Sequence, residues 1–419
     1  MSYNQIPISE LVIRANTGLD AIKKAPIVDE NTGIKCLRIQ DISQQKEYIN
    51  WGNTKVEVRD YNKFQLKPNY ILIARTGASI GVAKFISKEL NAVFNNGLIR
   101  IVPNLEKVDP KFLYYNLVSY KYREHIFGVS GGTATQPNMK MRDLLRFEIS
   151  LPNMRGQKSI ANILSSLDDK TELNIKINKN LEELAQTLYK RWFIDFEFPN
   201  EDGEPYKSSG GEMVESELRL IPEGWRFSHL GTDELSNLLG SGIEVFEGTK
   251  KYIATADVTN STITSFETKI TYKDRPSRAN ISPVPNSVWF AKMKDSRKLI
   301  RVSKESKFLI NSCIFSTGFA GLVCEDSLNY IWSFILSNDF DDVKNNLCNG
   351  TTMQAINNSN ITKIEILIPD EKTLFKFNLL TDEMFTKIEF NEIENNKLLQ
   401  IRDKLLPKLM SGEIEVPYE

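Results

Sequence analysis

The chain repeats itself at an interval of about half its length, and no other feature constrains its fold as strongly. Residues 132–136 (GTATQ) return as residues 350–354 (GTTMQ), 218 positions later. Each copy is followed by an alternating apolar stretch closed by proline: Phe147, Ile149, Leu151 and Pro152 in the first, Ile364, Ile366, Ile368 and Pro369 in the second. Period-two alternation predicts a strand in both, and proline, which cannot donate to a ladder, ends it. Residues 37–42 (LRIQDI) resemble 253–258 (IATADV), and 69–75 (NYILIAR) resemble 286–292 (NSVWFAK), at offsets of 216 and 217. An offset that stays nearly constant over four segments describes a tandem duplication of one strand-rich unit.

Each unit leads into a helical segment. Residues 157–196 contain no Gly or Pro, and a seven-residue stripe runs through Ile160, Leu167, Asn174, Leu181 and Leu188, flanked by Ile163, Ile177 and Leu184. Residues 371–410 repeat the spacing with Phe377, Met384, Asn391, Leu398 and Leu405. Two helices of about 40 residues, each ~60 Å long at ~1.5 Å per residue, exceed what an ordinary domain needs. A stripe this narrow suits a coiled-coil seam better than a broad core face. Asn174 and Asn391 occupy matching central points of the stripes and are expected to meet as a buried layer that sets register. Pro407 is expected to fray or kink the end of the second helix. Residues 199–222, rich in Gly, Ser, Pro and acid, read as an exposed flexible linker. The predicted division is a first globular domain at 1–152, a helix at 153–198, the linker at 199–222, a second globular domain at 223–369, a helix at 370–411 and a tail at 412–419.

Composition narrows the class. With 41% apolar and 26% charged residues over 419 positions, the chain is expected to be a soluble globular protein. The first twenty residues carry Glu10, Arg14 and Asp20 and read as neither a leader nor a membrane span. Cys36, Cys313, Cys324 and Cys348 are scattered without a Cys-x-x-Cys pair, which suits a reducing cytoplasm. The formal net charge of -1 hides a segregation: residues 1–150 hold 21 basic against 14 acidic residues, whereas 223–369 balance. Inside that balanced segment, residues 269–307 hold eleven basic residues against Asp274, Asp295 and Glu305. Such a block suits phosphate binding, or is a solvated face.

Catalytic constellations are missing. Asp109-Pro110-Lys111-Phe112 lacks the second proline of a base-clamping methyltransferase motif, and Gly248-Thr249-Lys250 has the wrong order for a phosphate loop. Pro369-Asp370 is not followed by the Glu-x-Lys of a nuclease, and His125 and His229 stand apart from any ligand cluster. The remaining chemistry is recognition. Gly132, Thr133 and Gln136, with Gly350, Thr351 and Gln354, supply close backbone approach, a hydroxyl and a bidentate amide that could hold phosphates or read adenine edges, or else form simple turns. Arg75, Thr76 and Ser79 in RTGASIG (75–81) either cradle a phosphate or make a hairpin loop. Lys292, Lys294, Arg297 and Lys298 are the expected phosphate contacts of the second domain.

Residues 151–196 (LPNMRGQKSIANILSSLDDKTELNIKINKNLEELAQTLYKRWFIDF), 398–414 (LLQIRDKLLPKLMSGEI) and 221–225 (IPEGW) resemble the DNA-specificity subunits of type I restriction-modification systems. The first unit lacks an IPEGW-like start and begins at Ile8-Ser9-Glu10-Leu11. The resemblance implies an α+β fold: two strand-rich, mixed α/β target-recognition domains, each with a long helix, the helices pairing antiparallel with pseudo-two-fold symmetry. Each domain would read half of a bipartite site in double-stranded DNA. The coil would set the spacing and dock two modification (methyltransferase) subunits carrying S-adenosylmethionine. Restriction subunits would add ATP- and Mg-dependent translocation and cleavage. This chain would bind no cofactor or metal and catalyse nothing itself. A coiled-coil adaptor that binds only proteins is the alternative, separable by the steep salt dependence of DNA binding. A chain that binds S-adenosylmethionine unaided would instead be an enzyme.

Overall fold

A computed structural model describes residues 4–129, 138–232, 234–350 and 354–416. The chain forms two compact units, Met1–Leu173 with Glu394–Glu419, and Asn174–Ile393. The first contains a four-stranded antiparallel sheet in the order Val12–Thr17, Leu98–Pro103, Ile71–Ala74, Ala83–Phe85. The second repeats it as Asn237–Leu238, Phe319–Val323, Ser287–Ala291, Leu299–Val302. Both units add a second four-stranded sheet containing one parallel pair, Lys35–Leu37 with Ala92–Phe94 and Lys250–Ile253 with Cys313–Ser316.

The similar segments found in the sequence take similar conformations. Asn69 and Asn286 both have positive φ, 69° and 50°, a region asparagine tolerates better than most residues, and each turns the chain into a central strand. That strand is apolar without interruption because both of its faces are covered. Ile71 and Ile73 join the core that holds the long helices, whereas Leu72 and Ala74 face the core of the second sheet. Val288 and Phe290 divide from Trp289 and Ala291 in the same way. Gly321 lies under Trp289, where an added Cβ would stand 2.5 Å from the indole. In LRIQDI and IATADV, Asp41 and Asp257 reach back to accept from the N–H groups of Arg38 (3.0 Å) and Ala254 (2.8 Å).

The alternating stretches form the strands Glu148–Leu151 and Glu365–Ile368. Their partners are Asn4–Pro7 and Arg226–His229. The first unit's opening strand therefore precedes Ile8, and it needs no IPEGW segment because the ladder alone places it.

The long helices are Met154–Tyr189, extended by a π-turn at Lys190–Ile194, and Glu371–Ser411. Each contributes one half to each unit. In the first unit Asp168 pairs with Arg402 (3.1 Å) and Lys170 with Glu394 (3.2 Å). In the second, Asn178 meets Ile388 and Asn391, and Tyr189 meets Phe377. Ascending numbers meet descending ones, so the pairing is antiparallel in both. All ten stripe residues are buried or half-buried. Leu184 is not: it is 51% exposed, and Ala185 is buried instead, because a 3.6-residue turn drifts off a strict seven-residue repeat. The helix runs through Pro407 to Ser411 without the expected fraying, since Leu406, Leu409 and Met410 are held in the first unit's core.

The segment 199–222 is not the loose linker its composition predicts. Phe198 stacks between Tyr206 and Trp225, at centroid distances of 4.5 and 4.8 Å. Met213–Glu215 and Leu220–Pro222 form a hairpin, with Ile221 buried in the second unit's core. Its aromatic anchors, spaced too irregularly to read as an element, outweigh its polar composition. All four cysteines are free thiols. Among the described residues no helix is long and apolar enough to cross a membrane.

Candidate nucleic-acid interface

The hairpin loops that the sequence singled out lie beside the residues that follow each GTxxQ motif. Residues 75–81 are the hairpin loop between Ile71–Ala74 and Ala83–Phe85, held by the Ile80 and Gly81 N–H groups donating to Gly77 O (3.1 Å) and Ala74 O (2.9 Å). Gly77 and Gly81 have φ of 75° and 83°, conformations in which glycine is free of Cβ strain. Residues 292–298 (KMKDSRK) are the equivalent loop between Ser287–Ala291 and Leu299–Val302. The offset of 217 superposes Arg75 on Lys292 and Gly77 on Lys294.

Against each hairpin loop lies the segment just after the GTxxQ motif. The Met139 N–H donates to Arg75 O (2.8 Å) and the Ile356 N–H to Lys292 O (2.9 Å), while Thr76 bridges Asn138 and Met293 bridges Ala355. Gly132, Thr133, Gln136 and Thr351 lie outside the described residues. In the second unit Asn349 and Ala355, on either side of the motif, exchange N–H···O bonds of 3.1 Å. Gly350 takes φ 123°, where a side chain would be strained, and Gln354 is exposed while its carbonyl accepts from the Lys294 N–H at 2.9 Å. The described end of the second motif, Gln354, is thus set beside a basic hairpin.

The basic block does not form one free positive surface. Arg297 is ion-paired with Asp341 and also donates to Leu336 O. Asp341 is shared with Lys344, which is 1% exposed and donates to Ser296 O at 3.0 Å. Lys298 donates to Thr255 O at 2.5 Å. Arg301 points inward, its side chain 8% exposed. A hairpin alternates its side chains between two faces, so a run of basic residues cannot all meet solvent. Lys292 is half-buried, and desolvation holds its ammonium below the usual lysine range. Lys294 remains, with no side-chain partner among the described residues, and Lys269, Lys273, Arg278, Lys304 and Lys307 are exposed. In the first unit Arg75 donates to Asn138 Oδ1 at 3.3 Å, Thr76 and Ser79 are half-buried, and Lys140 and Arg142 are exposed just beyond the motif. The sequence reading missed Asn138, Lys140 and Arg142. Their signal was proximity to GTATQ in a segment carrying excess positive charge.

A family profile described as the type I restriction modification DNA specificity domain matches residues 13–183. Over 389 residues the chain is 29% identical to the type I restriction enzyme MjaIX specificity subunit of Methanocaldococcus jannaschii, covering 88% of this chain and 84% of that one. Over 404 residues it is 26% identical to the HindI specificity subunit of Haemophilus influenzae, covering 84% and 88%. The chain is similar to type I restriction enzyme specificity subunits over most of its length. The crystal structure of an S subunit from M. genitalium shares the fold of this chain, with a TM-score of 0.59 at 18% identity over 98% of this chain and 96% of that one. As in its sequence, the two histidines keep to separate settings: His125 bonds to Asp143 O (2.9 Å) beside Phe147, and His229 lies on an edge strand. Among the described residues no three His, Cys, Asp or Glu side chains gather into a metal site.

Proposed function

We propose that this chain is the DNA-reading subunit of a type I restriction-modification complex and performs no chemistry of its own. Each unit would read one half of a bipartite target in double-stranded DNA. The observation that carries this reading is the pairing, in both units and at one offset, of a hairpin loop with the segment after GTxxQ, in a chain similar to type I specificity subunits. Loops beside a rigid sheet suit base readout, and neighbouring lysines and arginines suit phosphate contact.

The antiparallel helices would set the distance between the half-sites and dock two modification subunits. Exposed apolar side chains one turn apart on the second helix, Phe375 (68%) and Leu379 (63%), support docking there, because neighbouring apolar groups on a surface mark an interaction site. S-adenosylmethionine would come with the modification subunits, and ATP and Mg with restriction subunits, in the cytoplasm. An adenine must leave the duplex before it is methylated, and that step belongs to the partner; this chain would fix which adenine is presented. The test is to map modified adenines in cells making this chain with its modification subunit. One bipartite sequence that disappears without this chain is expected; methylation independent of it would overturn the reading.

A further inference from the structure

Apolar packing is not directional, so it cannot alone fix the angle at which a recognition globule stands on a helix. A buried polar joint can, because only one orientation satisfies all its groups. The second unit contains one where the strand Leu299–Val302 crosses the second long helix. Arg301, 8% exposed, lies over the Phe385 ring at 5.3 Å and places its guanidinium 3.7 Å from Glu389 and 4.0 Å from Asp382. It also donates to Asn329 Oδ1 at 2.8 Å. Glu389 accepts from Ser303 Oγ (2.7 Å) and Ser306 Oγ (2.6 Å) in the segment after the strand. Asn329 in turn donates to the helix carbonyl of Asn378 at 3.1 Å. The strand, the short helix Leu328–Ile335 that carries Asn329 and the long helix are thereby tied through one cation. Lys84, 217 residues before Arg301, is likewise desolvated and feels the charge of Glu172, 217 residues before Glu389. The duplication has kept a cation and a carboxylate at these matching positions of both copies.

We infer that the Arg301–Glu389 joint is a positioning element that sets the angle of the second unit's loops on the long helix, and through it the number of base pairs between the two half-sites. This rests on the function proposed above. The leverage is sufficient: a tilt of about 10° over a lever of about 20 Å, on the order of a domain's radius, displaces the loops by ~3.5 Å, one base-pair step at ~3.4 Å. Such a pair adds little net stability compared with apolar residues of the same volume, so its contribution would be geometric.

The experiment maps methylated sites in cells producing the full chain with its modification subunit. In the variant Arg301→Met/Glu389→Met, which removes both charges together, both half-sites should persist while methylation at gaps one base pair longer or shorter rises at least tenfold. Ser303→Ala/Ser306→Ala, which only releases Glu389, should give the same broadening to a smaller degree and decides the matter if the methionine pair does not assemble. Arg301→Lys, which keeps the charge, should restore the parental gap. A single parental gap in the assembled variants, or an altered half-site sequence, overturns the positioning role. Loss of any bipartite pattern in the parental chain would instead overturn the function on which it rests.

Discussion

Arg297 and Lys294 are three residues apart in one basic loop, and the sequence alone treats them alike. The structure separates them: Arg297 neutralises Asp341, whereas Lys294 is fixed only by its backbone. Lys294→Ala should therefore weaken binding to every DNA sequence and lower the salt slope of log K by about 1, as for one lost phosphate contact. Arg297→Ala should lower stability by about 1–2 kcal/mol, because the pair is partly exposed yet leaves Asp341 beside the buried Lys344. Equal effects of both substitutions on the salt slope would refute the distinction. Glu392 offers a second residue-scale test. Burial, with repulsion from Glu389 and Glu182, pushes its carboxyl up to about 7. The folded state then holds a proton that the unfolded state releases near 4.5, so stability falls as pH rises from about 4.5 to 7 and is level above that. Glu392→Gln should raise the melting temperature above pH 7 and have no effect near pH 4. A gain equal at both pH values would show that the carboxyl is not desolvated.

At the scale of elements, the seam between the helices carries polar groups where leucine would fit. Asn174 and Asn391 are both fully buried, and Asn391 Nδ2 donates to Asn178 Oδ1 at 2.7 Å. The partner that Asn391 bonds is therefore Asn178, one turn beyond the Asn174 expected from the stripe. Buried amides fix register at a cost in stability. Replacing Asn174 and Asn391 by Leu should raise the melting temperature by about 2–4 °C for each kcal/mol gained, while methylation spreads to sites of altered spacing. A fall in melting temperature would mean that the amides stabilise the seam. The helix ends behave differently. Ile160, Ala161 and Leu164 enter one unit's core, and Ala185, Tyr189 and Trp192 the other's, so the same helix is core at its ends and seam at its centre.

For the molecule as a whole, that division says where the proposed spacer can be lengthened. An insertion after Leu184 would push Ala185 out of a core, so length must be added in the seam and to both helices. Seven residues after Ile175 and seven after Asn391 add ~10 Å at ~1.5 Å per residue, about three base pairs at ~3.4 Å each. Methylated sites should keep both half-sites and gain that gap. Four residues inserted at the tip of the hairpin, between Glu217 and Leu218, should leave the gap unchanged, because the hairpin is anchored through Phe198 and Ile221 rather than through its tip. A changed gap in the second variant, or an unchanged one in the first, would contradict the helices as the spacer.

The sequence by itself determined the duplication, the strands closed by proline, the two long helices and the positions of both loop motifs. These depend on short-range periodicity and on an offset between copies, which a single chain carries in full. Tertiary structure decided the rest. That Gln354 and Ile356 lie against the basic hairpin, that Arg297 and Arg301 are turned to carboxylates, and that 199–222 folds onto Trp225 each depend on residues tens of positions apart meeting in space. A charged or polar residue reads the same in sequence whether its partner is water or a carboxylate. Only the packing of the surrounding apolar groups decides which of the two it meets.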